Sequence, residues 1–262
     1  MNEKEKEIKN WVLKNGYPFE MKVANLFQKE TFKITQSLLY KDIDTNKFRE
    51  IDIIAYYNKI IEGVHFNFSF VIECKKSNDK PWLVFKNKDL INPKLDRFRS
   101  ITTKNAEILL DKTKAFKIPS NIFPDVNKSG YNLVIAFKDG KDLAYSAINS
   151  LLKASKYISE KINSSSLKQC NIYIPVIIIE GELYDAYLDS DEKIIFNKVN
   201  SSSIMNTKVF GEDYSSIITI ISSNRLECFI KDLKKDIISF FKTYESEIRE
   251  VLVTNPTNKE SP

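Results

Sequence analysis

The sequence predicts an α/β sandwich in which helices pack against one mixed sheet. Helix-like segments are followed by three strand-like segments, then by an amphipathic helix and further strands, and this order is typical of that class. The chain has 262 residues, of which 42% are hydrophobic, so it can bury a sizeable core. We expect a single domain over 1–250, an inserted segment at about 77–130, and a flexible tail over 251–262.

The first eighty residues predict two helices and an antiparallel meander. Alternating charges indicate a short helix over 4–14, and a second helix over 17–30 places Glu20 on the same face as Val23 and Phe27. Turn-forming stretches separate three segments that are rich in β-branched and aromatic residues. These predicted strands are 32–40, 48–57 and 64–76.

The rest of the chain predicts further helices and strands. Residues 142–163 have a strongly amphipathic pattern that suits a crossover helix. Residues 171–188 are nearly all apolar at first, as in a strand that is buried on both faces. The other predicted elements are a helix at 103–116, a loop at 118–130, strands at 131–138 and 215–222, and a helix at 224–244.

Composition excludes several classes of function. The only histidine, His65, rules out multi-histidine metal sites, and the six glycines build none of the phosphate-binding loops of nucleotide-binding proteins. Three widely spaced cysteines suit a reducing compartment rather than a disulfide framework. No apolar run approaches about 20 residues and no signal-peptide pattern is present, so we expect a cytoplasmic protein without membrane partners. Carboxylates and lysines are the groups left to carry chemistry.

Three carboxylates occur where apolar residues would be easier to bury. Alternation along the third strand places Glu73 and Lys75 on one face and Cys74 on the other. Asp52 lies between two isoleucines in a strand-like segment, where aspartate is disfavoured. Glu20 shares the apolar face of its helix. Because buried charges need a partner or a metal ion, these residues are the candidate site.

This order of a glutamate on a helix, an aspartate on a strand and Glu-x-Lys on the next strand resembles the PD-(D/E)xK nuclease superfamily. The resemblance implies the restriction-endonuclease-like αβββαβ core. It covers about 15–80 by motif and extends to 220–245 by element order. One departure is that Asp52 follows an isoleucine rather than a proline. The catalytic residues that the resemblance implies are Glu20, Asp52, Glu73 and Lys75.

The resemblance also implies that Asp52, Glu73 and the backbone carbonyl of Cys74 hold a divalent cation. Oxygen ligands without a neighbouring imidazole or thiolate favour Mg²⁺ or Mn²⁺. Lys75 would position or deprotonate a water, or offset charge that develops on the phosphate. Glu20 would hold a metal-bound water or a second ion. The alternative for Glu20 is a carboxylate that only the helix dipole favours.

The basic excess of the chain is concentrated in one segment. Residues 81–120 carry nine Lys and Arg against four Asp and Glu, a net charge of +5. We expect this segment to contact nucleic-acid phosphates, and the alternative is a solvated face or one that docks a partner protein. Five arginines in the whole chain predict little direct reading of bases. The residues expected to contact nucleic acid are Lys86, Lys88, Lys94, Arg97 and Arg99.

These patterns favour a metal-dependent endonuclease that cuts DNA, with a role in restriction or anti-phage defence suggested by the resemblance. One alternative is RNA cleavage by the same site. Another is a nucleic-acid-binding module without turnover. A third is a subunit that docks a partner such as a helicase or ATPase, and a homodimer is compatible with each of these functions.

Overall fold

The computed structural model describes residues 2–77, 80–87, 101–137, 142–165, 167–206 and 216–254. The helices are α1 (Glu3–Lys14), α2 (Tyr17–Lys29), α3 (Lys104–Thr113), α4 (Leu143–Asn163), α5 (Leu226–Thr243) and α6 (Glu245–Thr254). The strands are β1 (Lys33–Lys41), β2 (Phe48–Ile61), β3 (Val64–Lys76), β4 (Trp82–Phe85), β5 (Ile101–Thr102), β6 (Asn132–Ile135), β7 (Gln169–Glu180), β8 (Leu183–Leu188), β9 (Ile194–Val199), β10 (Ser201–Asn206) and β11 (Ser216–Ser222).

The predicted mixed α/β class is confirmed, but the expectation of one sheet is wrong. A large sheet has the strand order β1-β2-β3-β7-β11-β10, with β5 paired to β7. A second sheet has the order β6-β4-β8-β9. The predicted meander is present, because β1, β2 and β3 pair antiparallel, and β3, β7 and β11 then pair parallel.

The apolar run at 171–188 forms two strands in different sheets. The break falls at Gly181, where a Cβ atom would lie 2.6 Å from the carbonyl oxygen of Ser77. Only glycine allows the two backbones to approach so closely. The chain therefore leaves the large sheet after Glu180 and enters the small sheet at Leu183.

The segment expected as an insertion contributes to both sheets. β4 pairs with β8 in the small sheet, while β5 pairs with β7 and leads into α3. The sequence did not predict β9 and β10, since their residues show no clear alternation. Residues 251–254, expected in a flexible tail, form the end of α6 with Val251 and Leu252 buried. The remaining tail, 255–262, lies outside the described residues.

Helices cover both faces of the large sheet. On one face, Val23 of α2 and Ile237 of α5 belong to the same core as Ile72. On the other face, Leu151 of α4 belongs to a second core with Val71. Within the described ranges, no helix is long and apolar enough to span a membrane.

A ladder of asparagines fixes the register of the three central strands. Asn58 donates a hydrogen bond to Asn67, at 2.8 Å, and Asn67 donates to Asn171, at 2.6 Å. These residues are direct partners across β2, β3 and β7. Since buried amides are costly unless they are hydrogen-bonded, a one-residue slip of any strand is disfavoured.

A buried ion-pair network anchors the turn between β1 and β2. Asp42 is 2% exposed and accepts hydrogen bonds from Lys153, at 2.8 Å, and from the backbone of Asp44, at 3.0 Å. Arg49 also pairs with Asp42, at 2.5 Å. The hydrogen bond from Lys153 lowers the pKa of Asp42 far below its ordinary value, despite its burial.

We predict that Asp42→Ala lowers the free energy of unfolding at pH 7 by about 2 kcal/mol, because the ammonium group of Lys153 loses its buried carboxylate partner. Lys153 retains Asp44, at 2.5 Å. Chemical denaturation measures the change. Asp44→Ala is the matched control, because this exposed carboxylate should contribute less than about 1 kcal/mol. Equal losses in the two variants would show that burial of Asp42 is not what matters.

Candidate active site

Glu73 is a buried carboxylate near the end of β3. Its relative exposure is only 4%, and its side chain contacts the ammonium group of Lys75. Burial, reinforced by the carboxylates of Asp52 and Glu20, raises the pKa of Glu73 to about 7, although Lys75 opposes this shift. The ionised form of such a buried carboxylate is strongly stabilised by any further positive charge that approaches it.

The strands β2 and β3 separate at Asp52. Their pairing ends at Ile53 and Ile72, whereas β3 remains paired with β7 as far as Lys76. Beyond the last β2–β3 pair, the backbone N–H of Cys74 donates a hydrogen bond of 2.7 Å to Oδ2 of Asp52. The aspartate therefore replaces the acceptor that a continuing strand would have supplied. This explains why an aspartate interrupts an apolar strand.

The β1 strand is also irregular at this point. Its pairs with β2 on either side of Asp52 are Gln36 with Ile53 and Leu38 with Ile51, so Ser37 lies opposite the aspartate. Ser37 has a φ of 56°, which is uncommon for a residue other than glycine. The pairing of β2 with β1 and its pairing with β3 are thus both interrupted at Asp52, and local irregularity of this kind is typical of functional sites.

Lys75 connects the two carboxylates of β2 and β3. Its Nζ atom contacts Glu73 and lies 3.7 Å from Oδ2 of Asp52. Burial alone would lower the pKa of Lys75, but the two carboxylates outweigh it and raise that pKa. The side chain therefore stays protonated near neutral pH. Of the roles open from the sequence, stabilisation of negative charge is the one that a protonated lysine can perform directly.

Glu20 of α2 lies close enough to interact with this group. Burial and then the Asp52 carboxylate raise the pKa of Glu20, while Lys75 lowers it. A Cβ atom on Gly16 would lie 3.1 Å from Oε1 of Glu20, so the carboxylate also bends toward the start of its helix. The structure thus places the four predicted residues in one electrostatically coupled cluster. The position of Glu20 in the first turn of α2 also fits the alternative in which only the helix dipole favours its carboxylate.

Cys74 contributes its backbone rather than its thiol. The side chain is buried in the core under α2, on the face opposite Glu73. Burial, together with the Asp52 and Glu20 carboxylates, raises the pKa of the thiol well above its ordinary value. The sulfur is therefore protonated and a poor metal ligand. In a strand, the carbonyl of Cys74 points to the same edge as its N–H, which is the edge that Asp52 occupies.

The donor set fits a hard divalent cation. Asp52 and Glu73 supply carboxylates, and the Cys74 carbonyl faces the same gap between the strands. His65, at the other end of β3, contacts Asn58 instead. Among the described residues, no three side chains of His, Cys, Asp or Glu are grouped to hold a metal ion. A metal here would therefore depend on two carboxylates and a carbonyl, with water completing its coordination.

Tyr40 is a neighbour of the site that the sequence analysis missed. It is fully buried, and burial and the Glu73 and Asp42 carboxylates raise its pKa. It thereby lies between the Glu73 cluster and the Asp42 network. The sequence carries no signal for this role, because a tyrosine in a strand is most simply interpreted as part of the core.

Only one of the predicted nucleic-acid-binding residues is described. Lys86 pairs with Asp185 at 2.6 Å and is mostly buried, so its charge is already neutralised. It is therefore the least favourable member of the set for phosphate binding. The other four residues lie outside the described residues, and they are Lys88, Lys94, Arg97 and Arg99.

The chain has no significant match among protein-family models, curated proteins or solved structures. Any functional assignment therefore depends on the residues of the site itself.

Proposed function

We propose that the chain is a metal-dependent nuclease that hydrolyses phosphodiester bonds in DNA, with a PD-(D/E)xK type of site on a restriction-endonuclease-like core. The observation that carries this proposal is the gap between β2 and β3. There Asp52 holds the Cys74 amide while Lys75 contacts the buried Glu73 carboxylate. A structural salt bridge alone would not require two carboxylates and a lysine at a point where two strands separate.

The proposed ligands of Mg²⁺ or Mn²⁺ are Asp52, Glu73 and the Cys74 carbonyl. A cation bound there would polarise the phosphate and supply a reactive water. Burial of Glu73 supports this assignment, because a divalent charge offsets the unfavourable desolvation of the carboxylate. The fixed Asp52–Cys74 hydrogen bond orients one ligand before any cation binds.

Lys75 acts in this proposal as a cation next to the scissile phosphate. As an ammonium group beside both carboxylates, it would stabilise the negative charge that develops on the phosphate oxygens. Glu20, which interacts electrostatically with Asp52 and Lys75, would bind a water molecule that the metal holds.

The direct test is incubation of the purified chain with plasmid, linear duplex DNA, single-stranded DNA and RNA, each with Mg²⁺, Mn²⁺ or EDTA. We expect cleavage of DNA with either cation and none with EDTA. A Glu73→Gln protein purified in the same way controls for contaminating nucleases. Cleavage of RNA alone would overturn the choice of DNA, and no cleavage of any substrate would overturn the proposed activity.

We predict that Lys75→Met reduces single-turnover cleavage by roughly 100-fold or more, since a charge that stabilises the transition state is removed. Mn²⁺ affinity should stay the same or increase, because the ammonium group no longer neutralises Glu73 and Asp52. Calorimetric titration with Mn²⁺ measures the affinity. Lys76→Met is the control, because Lys76 pairs with Glu180 instead. A loss of Mn²⁺ affinity in Lys75→Met would contradict these roles.

A further inference from the structure

A cavity of about 460 Å³ opens beside the candidate active site. We call it the crossover cavity, because two of its walls are the turns where the chain passes between the sheets, at Gly181 and at Asn200. It is also lined by Ser222 at the end of β11, by Ser223 just after that strand, and by Lys22 of α2. The cavity thus lies at the carboxyl ends of parallel strands, where α/β proteins commonly bind ligands.

The strand register places this cavity next to Lys75. Lys75 of β3 is directly opposite Ile179 of β7, and Ile179 is directly opposite Ser222 of β11. Since neighbouring strands are about 4.8 Å apart, Ser222 lies about 10 Å across the sheet from Lys75. The Lys76–Glu180 ion pair, at 3.2 Å, lies between the two positions. A ligand strand that crosses the ends of these strands would pass from one site into the other.

The charged residues of the lining are two lysines, Lys22 and Lys198, and two glutamates, Glu180 and Glu182. Glu182, in the wall of the cavity, pairs with Lys198, and Glu180 pairs with Lys76. Lys22 is exposed and makes no ion pair with any part of the chain that the structure describes. Lys22 is therefore the lysine of the lining whose charge is available to bind an anionic ligand.

The other lining groups suit a sugar–phosphate backbone rather than a base. Hydroxyl and amide side chains of Ser223, Asn224 and Asn200 line the cavity, and such groups commonly contact phosphate and sugar. None of the described lining residues is aromatic, so the lining provides no ring on which a base could stack.

We propose that the crossover cavity is a subsite for the backbone of the substrate strand, in which Lys22 contacts a phosphate near the one that is cut. This inference depends on the proposed nuclease function for the identity of the strand. Contact through the backbone makes the subsite independent of base sequence. It would hold the strand on the β11 side of Lys75 and thereby set the direction in which the strand crosses the sheet.

The first test measures DNA binding in EDTA as a function of salt, so that it is independent of cleavage. Lys22→Ala should reduce the slope of log K against log salt by about 0.9 for duplex DNA, or about 0.7 for single strands, because one phosphate contact is lost. Lys29→Ala is the matched control, because Lys29 is an exposed lysine seven residues further along α2, about 10 Å away. Equal slopes for wild type and Lys22→Ala would overturn the subsite.

The second test locates the contact along the strand. The substrates are oligonucleotides that each carry a single neutral methylphosphonate linkage, placed at a different position in each one. The wild-type protein should cut more slowly when the neutral linkage lies at one fixed distance from the cut. Lys22→Ala should lose that dependence, since the two changes remove the same interaction. The same offset dependence in Lys22→Ala would contradict the assignment.

The two proposals fail in different ways. Cleavage with unchanged salt slopes and unchanged offset dependence would leave the nuclease in place and remove the subsite. A reduced salt slope without cleavage of any substrate would retain the crossover cavity as a backbone-binding site and remove the proposed activity.

Discussion

Conversion of Asp52 or Glu73 to its amide should reduce metal-dependent DNA cleavage by roughly 1,000-fold, since a neutral amide is a far weaker ligand for a hard divalent cation. The amides are the appropriate substitutions here. Asp52→Asn retains an oxygen that can accept the hydrogen bond from Cys74, whereas Asp52→Ala would leave this backbone donor without a partner and destabilise the fold. Single-turnover cleavage at saturating Mg²⁺, together with thermal unfolding, measures both effects.

Glu50→Gln is the matched control for this pair. Glu50 is an exposed carboxylate on β2, two residues before Asp52, and it is close enough to affect the pKa of Glu20. If the two amide variants act by loss of metal ligands, Glu50→Gln should change the rate by less than about threefold, as expected for a screened surface charge. A comparable loss in all three variants would mean that the rate depends on the total negative charge near the site and not on metal binding by Asp52 and Glu73.

The central strands and the candidate residues could be predicted from the sequence because the necessary information is local. Alternation along 64–76 was sufficient to place Glu73 and Lys75 on one face, and the β3 strand has those bounds. Asp52 could be predicted as a candidate because an aspartate is unusual in an otherwise apolar strand. Its physical role, as the acceptor for Cys74, could not be predicted, because it depends on where β2 and β3 stop pairing.

The second sheet could not be predicted for a different reason. Hydrophobic periodicity reports whether a strand is buried, but it does not report which sheet the strand joins. The run from 171 to 188 therefore gave no indication that β7 and β8 belong to different sheets. Gly181 marks the break between the two strands. The need for glycine there comes from the close approach of the Ser77 backbone, which belongs to a distant part of the sequence. The crossover cavity is a consequence of that break, so it could not be predicted from the sequence either.

The cation-free protein should lose stability as the pH rises from 5 to 8. The pKa of Glu73 is about 7 in the folded chain, against an ordinary value of 4.5, so the folded state binds more protons than the unfolded state between these values. Stability therefore decreases as the pH rises through this window, and the loss reaches about 3 kcal/mol for a shift of this size. Glu20 acts in the same direction, since burial raises its pKa as well.

Glu73→Gln tests this prediction because it removes the titrating group and nearly preserves its shape. In EDTA, the free energy of unfolding from urea titrations should fall more steeply between pH 5 and pH 8 for wild type than for Glu73→Gln. Asp42 does not interfere, because its lowered pKa places its effect below this window. Glu182→Gln is the control, since Glu182 is exposed and its pKa is lowered. Parallel pH profiles for wild type and Glu73→Gln would show that Glu73 is ionised throughout, and that Lys75 alone compensates for its burial.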